Sequence, residues 1–270
     1  MAPKTILITG SSTGIGRATA LHFQAQGWNV IATMRSPDKE TALSSLDNVL
    51  VTRLDVTDAD SITAAVTQGI DRFGTIDALV NNAGYGAFGP LEAFTLDAVR
   101  RQFDTNVIGL LAVTKAILPH FRANQAGVLV NIGSVGGQIT FPLGTLYHGT
   151  KFAVEGISEG LQFELAPVGI RVKIIEPGMI KTDFDGRSFD FANDETMAEY
   201  QPTIQKFQAA WSGLEGAPAQ IVADAVWAAV TDGTSKLRYP VGADAEGWIA
   251  QRQAEGDEAF IAGIKQLVGL

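Results

Sequence analysis

Tyr147 and Lys151 stand four residues apart in the run Tyr147-His148-Gly149-Thr150-Lys151. In a helix that spacing puts both side chains on one face, a turn apart. The apolar residues downstream (Phe152, Ile157, Leu161, Phe163, Leu165) recur mostly at helical spacing and predict that helix. A free phenol titrates near ~10, too high for ready proton exchange at neutral pH. A neighbouring ammonium favours the phenolate and lowers that value. The pair therefore has the makings of a tuned general acid/base. A half-buried ring beside a solvated charge produces the same pattern, so the surrounding elements must decide between the two.

The first of those elements is at the N-terminus. Thr5-Ile6-Leu7-Ile8-Thr9 reads as a fully buried strand, followed by Gly10-Ser11-Ser12-Thr13-Gly14-Ile15-Gly16 and a helical pattern to Gln26. Strand, glycine-rich turn and helix in that order form a phosphate cradle. Gly10 permits the tight turn, Gly14 lets backbone approach a pyrophosphate, and Gly16 allows close helix–strand packing. The spacing is G-x-x-x-G-x-G rather than G-x-G-x-x-G. Asn29 to Thr33 reads as the second strand and ends in Thr33-Met34-Arg35-Ser36. An acid there would accept from a free ribose 2′-hydroxyl, whereas Arg35 would pair with a 2′-phosphate. The expected cofactor is NADP(H) in preference to NAD(H).

Further strands are predicted over Val49–Val56, Asp77–Asn81, Val128–Ile132, Arg171–Ile175 and Leu237–Val241. Thr57 or Asp58 caps a helix to about Phe73. Thr95 caps a long helical region to about Asn124, bent or ended near Pro119 and containing Asn106, a poor helix-interior residue. Surface tolerance or a water-binding role would account for that asparagine. The Tyr147 helix is expected to end near Gly169, and another to begin at Ala217-Pro218. Strands alternating with helices predict an α/β chain with a parallel sheet covered on both faces. The turn at Gly10, Arg35, Asp55, Asn82, Ser134 and Pro177 all follow or close strands. They can converge beyond the carboxyl ends, where such sheets bind ligands. Small residues in Asn82-Ala83-Gly84 would let a flat ligand lie on the backbone.

Composition sets the outer bounds. At 270 residues with a formal net charge of −9, and without a long basic run, the chain is a poor fit to nucleic-acid binding or to an anionic membrane surface. No apolar run approaches the ~20 residues of a membrane span, and the first residues lead into a strand rather than a leader sequence. The absence of cysteine excludes thiolate nucleophiles and fits a reducing cytoplasm. His22, His120 and His148 lack metal-ligand spacing, so no metal site is expected.

Together, Thr9-Gly10-Ser11-Ser12-Thr13-Gly14-Ile15-Gly16, Asp55-Val56, Asn81-Asn82-Ala83-Gly84, Asn106, Ser134, Tyr147-x-x-x-Lys151 and Pro177-Gly178 with Thr182 resemble the short-chain dehydrogenase/reductase family. The run Asn82 to Pro90 and the phrase Ile175-Glu176-Pro177-Gly178 look like its hydroxysteroid- and retinol-dehydrogenase-like branch. The resemblance implies one Rossmann-type, doubly wound domain of about seven parallel strands. Its dinucleotide-binding part spans about 1–178, a substrate loop about 179–215, and a C-terminal helix, strand and tail about 216–270. It makes Tyr147 the proton donor or acceptor and has Lys151 bind the nicotinamide ribose and lower the phenol pKa. Ser134 hydrogen-bonds the carbonyl oxygen, and Asn106 holds a water linking Lys151 to solvent. Asp55 with Val56 meets adenine, Asn82-Ala83-Gly84 lies along the adenosine and ribose, and Pro177, Gly178, Ile180 and Thr182 border the nicotinamide. His148, Gly149 and Gly133 depart from the residues common at those places; His148 would narrow the site or lie at a subunit contact.

The function this implies is an NADP(H)-dependent carbonyl reductase or alcohol dehydrogenase. The alternatives are a carrier-bound ketoacyl reductase, docking through Lys181, Arg187 and Lys206, and a non-catalytic NADP(H)-binding redox sensor. Phe141, Leu143, Phe184, Phe189, Phe191, Trp211 and Tyr239 are candidates for an apolar substrate pocket. The segment from Lys181 to Tyr200 reads as a substrate loop, and the tail from Asp244 closes the pocket or packs on a second subunit. The resemblance also implies a homodimer or homotetramer through helices near 95–124 and 147–166.

Overall fold

The runs Thr5–Ile8 (β1) and Asn29–Met34 (β2) are buried at every position, as strands covered on both faces must be. The computed structural model describes residues 2–181, 188–213 and 215–270. These two strands join Val49–Arg53 (β3), Ala78–Asn81 (β4), Gly127–Ile132 (β6), Ile170–Pro177 (β7) and Arg238–Val241 (β11) in a seven-stranded sheet of order β11-β7-β6-β4-β1-β2-β3. All its pairings are parallel. The order reverses direction between β1 and β4, so a crevice opens beyond their carboxyl ends.

One face of the sheet is covered by Gly14–Ala25 (α1) and Gln220–Thr231 (α7), through Ala20, Phe23, Val222 and Val226. The other is covered by Ala59–Phe73 (α2), Gly109–Asn124 (α4) and Thr145–Leu165 (α5), through Ile62, Val113, Phe121 and Leu165. A buried polar ladder fixes α4 and α5 to the strands. Asn81 Nδ2 donates to Thr114 Oγ1 (2.9 Å) and Asn131 Oδ1 (3.0 Å), and Asn131 Nδ2 donates to Ser158 Oγ (2.8 Å). Asp58, not Thr57, caps α2, accepting from the N–H groups of Asp60 and Ser61.

Four boundaries differ from those expected. The third strand stops at Arg53, because Leu54 to Asp58 turns to cap α2. The long helix is broken at Asp104–Ile108, a π turn between Leu96–Phe103 (α3) and α4 that contains Asn106. Pro119 does not end α4. It forfeits one backbone bond, while Ile117 and Phe121 on either side are fully buried and carry the helix on to Asn124. Ala217-Pro218 (β10) does not begin a helix; it pairs in parallel with Ile180-Lys181 (β8).

Beyond Lys181, Phe189–Phe191 (β9) pairs with Gly86–Phe88 (β5), and Gln201–Ser212 (α6) follows. The tail forms Ala243–Glu255 (α8) and Asp257–Leu267 (α9), which seat Ala245, Phe260 and Ile264 against Val135 and Ile139. That resolves the tail toward this chain's own loop after β6.

Candidate active site

The cradle after β1 depends on two glycines in the left-handed region, Gly10 (φ 71°) and Gly14 (φ 55°). A Cβ on Gly16 would strike the Gly10 carbonyl and come within 2.5 Å of Asn82 Nδ2. Asn82 is a brace: its Nδ2 donates to the carbonyls of Thr9 (2.8 Å) and Gly10 (3.1 Å). The N–H groups of Asn82 and Ala83 both donate to Thr9 Oγ1, at 2.9 and 3.0 Å. The first turn of α1 carries no acidic side chain, and Thr13 makes no side-chain capping bond. The arrangement of unsatisfied N–H groups at a helix start suits an anion. Arg35 is exposed at the end of β2, and Asp55 Oδ1 accepts from the N–H (3.0 Å) and hydroxyl (2.8 Å) of Thr57.

At the other end, α5 presents Tyr147 and Lys151 to the same crevice. Lys151 Nζ donates to the Ile132 carbonyl at 2.9 Å and lies 5.7 Å from the Tyr147 ring centroid. Burial brings the ammonium down to about 8, opposed by the negative charge of Glu155. Burial pushes the Tyr147 phenol up, while its hydrogen bond with Ser134 pulls it down. The lowered phenol expected from the lysine is therefore not what this structure has: the cost of desolvating a phenolate outweighs the other influences. Ser134 Oγ accepts the Gly136 N–H at 3.0 Å, which orients the hydroxyl.

Asn106 is 4% exposed and sits in the π turn, where such irregularities often mark functional positions. Its Oδ1 accepts the Tyr85 N–H (3.1 Å), and its Nδ2 donates to the Tyr85 carbonyl (2.8 Å) and to Thr150 Oγ1 (3.1 Å). Thr150 Oγ1 donates to the Tyr147 carbonyl at 2.8 Å, so the turn is tied to the helix that carries the tyrosine.

A cleft of about 710 Å³ collects Gly10, Ser12, Thr13, Gly14, Ile15, Arg35, Asp55, Val56, Asn82, Ala83, Gly84, Ser134, Tyr147, Lys151, Pro177, Gly178 and Ile180 on one wall system, with Phe141, Phe189 and Trp211 at its apolar end. Gly16 and Asn106 stand behind the wall. Leu143 does not line it: the residue turns through φ 64° and its carbonyl accepts the Gly89 N–H at 2.8 Å. Tyr239 is 8% exposed and bonded to Asp232 and Lys173 in the core, and Phe191 stacks behind Phe189. Thr182, Phe184 and Arg187 lie outside the described residues.

Sequence reasoning missed Phe88, whose ring lies 5.3 Å from both Tyr147 and Phe189 and 5.8 Å from Trp211. It also missed Trp248, 4.9 Å from Phe141, and the Arg101–Asp190 ion pair (2.7 Å) at the edge of the cleft. Gly86-Ala87-Phe88 is apolar and buried throughout, with no alternation to single out Phe88. The other contacts join residues tens of positions apart and leave no local pattern.

A family model described as short chain dehydrogenase matches residues 4–193. An uncharacterised oxidoreductase of Schizosaccharomyces pombe is 42% identical over 88% of this chain and 100% of its own. Retinol dehydrogenase 8 of Bos taurus is 36% identical over 69% of this chain and 62% of its own. Among solved structures, a short-chain dehydrogenase from Streptomyces avermitilis superposes with a TM-score of 0.82 at 34% identity, covering 98% of this chain and 96% of that one. ElxO with NADP bound gives 0.73 at 28%, over 88% and 97%. A 3-ketoacyl-(acyl-carrier-protein) reductase from Brucella melitensis complexed with NADH gives 0.75 at 26%, over 88% and 97%.

Proposed function

This chain belongs to the short-chain dehydrogenase family, and from that premise we propose that its cleft interconverts a carbonyl compound and an alcohol using NADP(H), with Tyr147 as general acid/base. The observation carrying this is that Ser134, Tyr147 and Lys151 border the same cleft as the glycine cradle. The cradle suits a dinucleotide: Gly10 and Gly14 border the cleft in left-handed backbone, and no carboxylate in the first turn of α1 opposes a phosphate. Gly10, Ser12, Thr13, Gly14 and Ile15 would hold the pyrophosphate. Asp55 and Val56 would hold the adenine, Asn82, Ala83 and Gly84 the adenosine and ribose, and Pro177, Gly178 and Ile180 the nicotinamide. Bound there, the dinucleotide would supply the redox chemistry of hydride transfer to or from the substrate carbon.

Tyr147 enters the reductive direction as the neutral acid that burial favours. It gives its proton to the substrate oxygen as negative charge grows there. Ser134, oriented by the Gly136 N–H, provides a second donor to that oxygen. Two fixed donors stabilise the transition state more than the ground state. The Lys151 ammonium stabilises the tyrosinate left behind. To Asn106 we assign the placement of a water that reconnects Lys151 with solvent.

Arg35, with buried Met34 rather than a carboxylate beside it, supports NADP(H) over NAD(H). ElxO binds NADP and the Brucella reductase is complexed with NADH, so the preference rests on Arg35. Phe88, Phe141, Phe189, Trp211 and Trp248 favour a medium-sized apolar ketone, aldehyde or secondary alcohol. Lys206 is bonded to the Gly269 carbonyl at 2.6 Å, which weakens the case for a basic carrier-docking patch.

The test is initial rates of NADPH and NADH oxidation over a panel of aldehydes and ketones, with Tyr147→Phe alongside. We expect turnover with NADPH and a loss of about 10²–10⁴-fold in the variant, whose NADPH affinity is unchanged. Full turnover in Tyr147→Phe would sink the assignment. Tight NADPH binding without turnover of any carbonyl would favour the sensor.

A further inference from the structure

His148 lies between Tyr147 and Lys151 in sequence, is 3% exposed, and has both ring nitrogens bonded. Nδ1 lies 2.8 Å from the Gly136 carbonyl, and Nε2 lies 2.9 Å from the Phe141 backbone nitrogen. These partners define the tautomer. A carbonyl only accepts, so Nδ1 carries the proton; a backbone N–H only donates, so Nε2 is bare. Both partners belong to the segment 134–144 that runs from β6 to α5. Within it, the Gly136 N–H donates to Ser134 Oγ, which is bonded in turn to Tyr147. The segment is shaped around the ring. A Cβ on Gly144 would come within 2.5 Å of His148 Cδ2 and 2.6 Å of Nε2. Leu143 just before it takes the left-handed turn at φ 64°.

We propose that His148 is a positioning residue: a neutral, Nδ1-protonated tether that holds segment 134–144 against α5, and so fixes the Ser134 hydroxyl and the Phe141 wall relative to Tyr147. This rests on the reading of Ser134 and Tyr147 as the reacting groups. An imidazolium would present a second donor to the Phe141 N–H and break that contact. Of its surroundings, only the Gly136 carbonyl favours the cation, and burial outweighs it. Residues 135–144 and β5 carry no ionisable side chain, and α6 carries only Lys206, bonded to Gly269. On α5 itself Tyr147 and Lys151 flank the ring, with Glu155 two turns on. Burial accordingly pushes His148 below the ordinary histidine range.

His148→Phe keeps a ring and removes both bonds, His148→Gln restores one donor and one acceptor, and Gly144→Ala presses on the ring while leaving every polar group in place. In the ligand-free protein, amide exchange at Phe141 should quicken about tenfold in His148→Phe, as expected for one lost hydrogen bond. Under turnover, kcat per NADPH-binding site should fall about tenfold with NADPH Kd held within about twofold. Wild-type kcat should fall on the acid side as His148 takes up a proton, that limb should be absent from His148→Phe, and His148→Gln should recover part of the rate. Unchanged exchange at Phe141, or kcat per site within about twofold of wild type, would overturn the tether. If His148→Phe does not fold, Gly144→Ala gives the same readings. If the wild type turns over no carbonyl, the exchange arm still judges the tether, and the failure belongs to the reaction alone.

Discussion

Arg35 is exposed beside buried Met34 at the end of β2, and in the proposed reading it meets only the ribose 2′-phosphate. A charge-assisted contact of that kind contributes about 1.5–3 kcal/mol. We therefore expect Arg35→Ala to weaken NADPH binding by about 10–100-fold and leave NADH unchanged, as read by fluorescence titration with both cofactors. Equal losses for both would remove the residue as a phosphate reader. Tyr147 and Lys151 were legible because helical spacing is a local property. The direction of the phenol's shift was not, because desolvation depends on what covers the ring, and Phe88 arrives from a distant strand. Leu143 misled for a related reason: apolar type signals burial, but a left-handed backbone turned it out of the cleft wall.

At the scale of elements, the cradle is the tightest fit. Gly16→Ala would force α1 off the Gly10 carbonyl and the Asn82 brace, so we expect cofactor affinity to drop with the sheet intact. Calorimetric titration beside circular dichroism tests this; unchanged affinity would mean the turn yields freely. The joint between α5, β7 and β11 makes a second prediction. Gln138 Nε2 donates to Glu155 Oε2 (3.1 Å) and Glu176 Oε1 (3.0 Å), and Arg238 Nε donates to Glu155 Oε2 (3.0 Å). Burial, with Glu155 adding to it, raises Glu176 from 4.5 to about 7. The folded chain then keeps a proton that the unfolded chain releases. This contribution is full below about pH 4.5 and is lost as pH rises through about 7. Glu176→Gln should therefore shrink the difference in Tm between pH 5 and pH 8, measured by thermal unfolding. An undiminished difference would place the pH dependence elsewhere. The π turn at Asn106 could not be read from sequence: a poor helix former marks a weak point, but the bonds to Tyr85 and Thr150 shape it.

For the whole molecule, the expectation of an oligomer is tested at large apolar side chains left exposed on α3, the π turn and α5. Leu96 is 70% exposed, Ile108 lies just before α4 at 55%, and Phe163 is 77% exposed. We expect light scattering to give a multiple of 28.6 kDa, and Phe163→Glu to lower that mass without unfolding the chain. A wild-type mass of one chain would contradict the expectation. By itself, the sequence determined the class of fold, the seven strands of the main sheet in their order along the chain, and the glycine turn and the Tyr147–Lys151 pair as candidates. These rest on periodicity, glycine at left-handed turns and residues a turn apart, all interactions of short range. Only the tertiary structure decided that Ser134, His148 and Gly136 form one bonded series and that Phe88 and Trp248 complete the apolar end. It also decided that Tyr239 and Leu143 are not part of the cleft. Those outcomes follow from how sheet and helices pack, and packing brings together residues whose separation in the chain carries no signal of the distance between them.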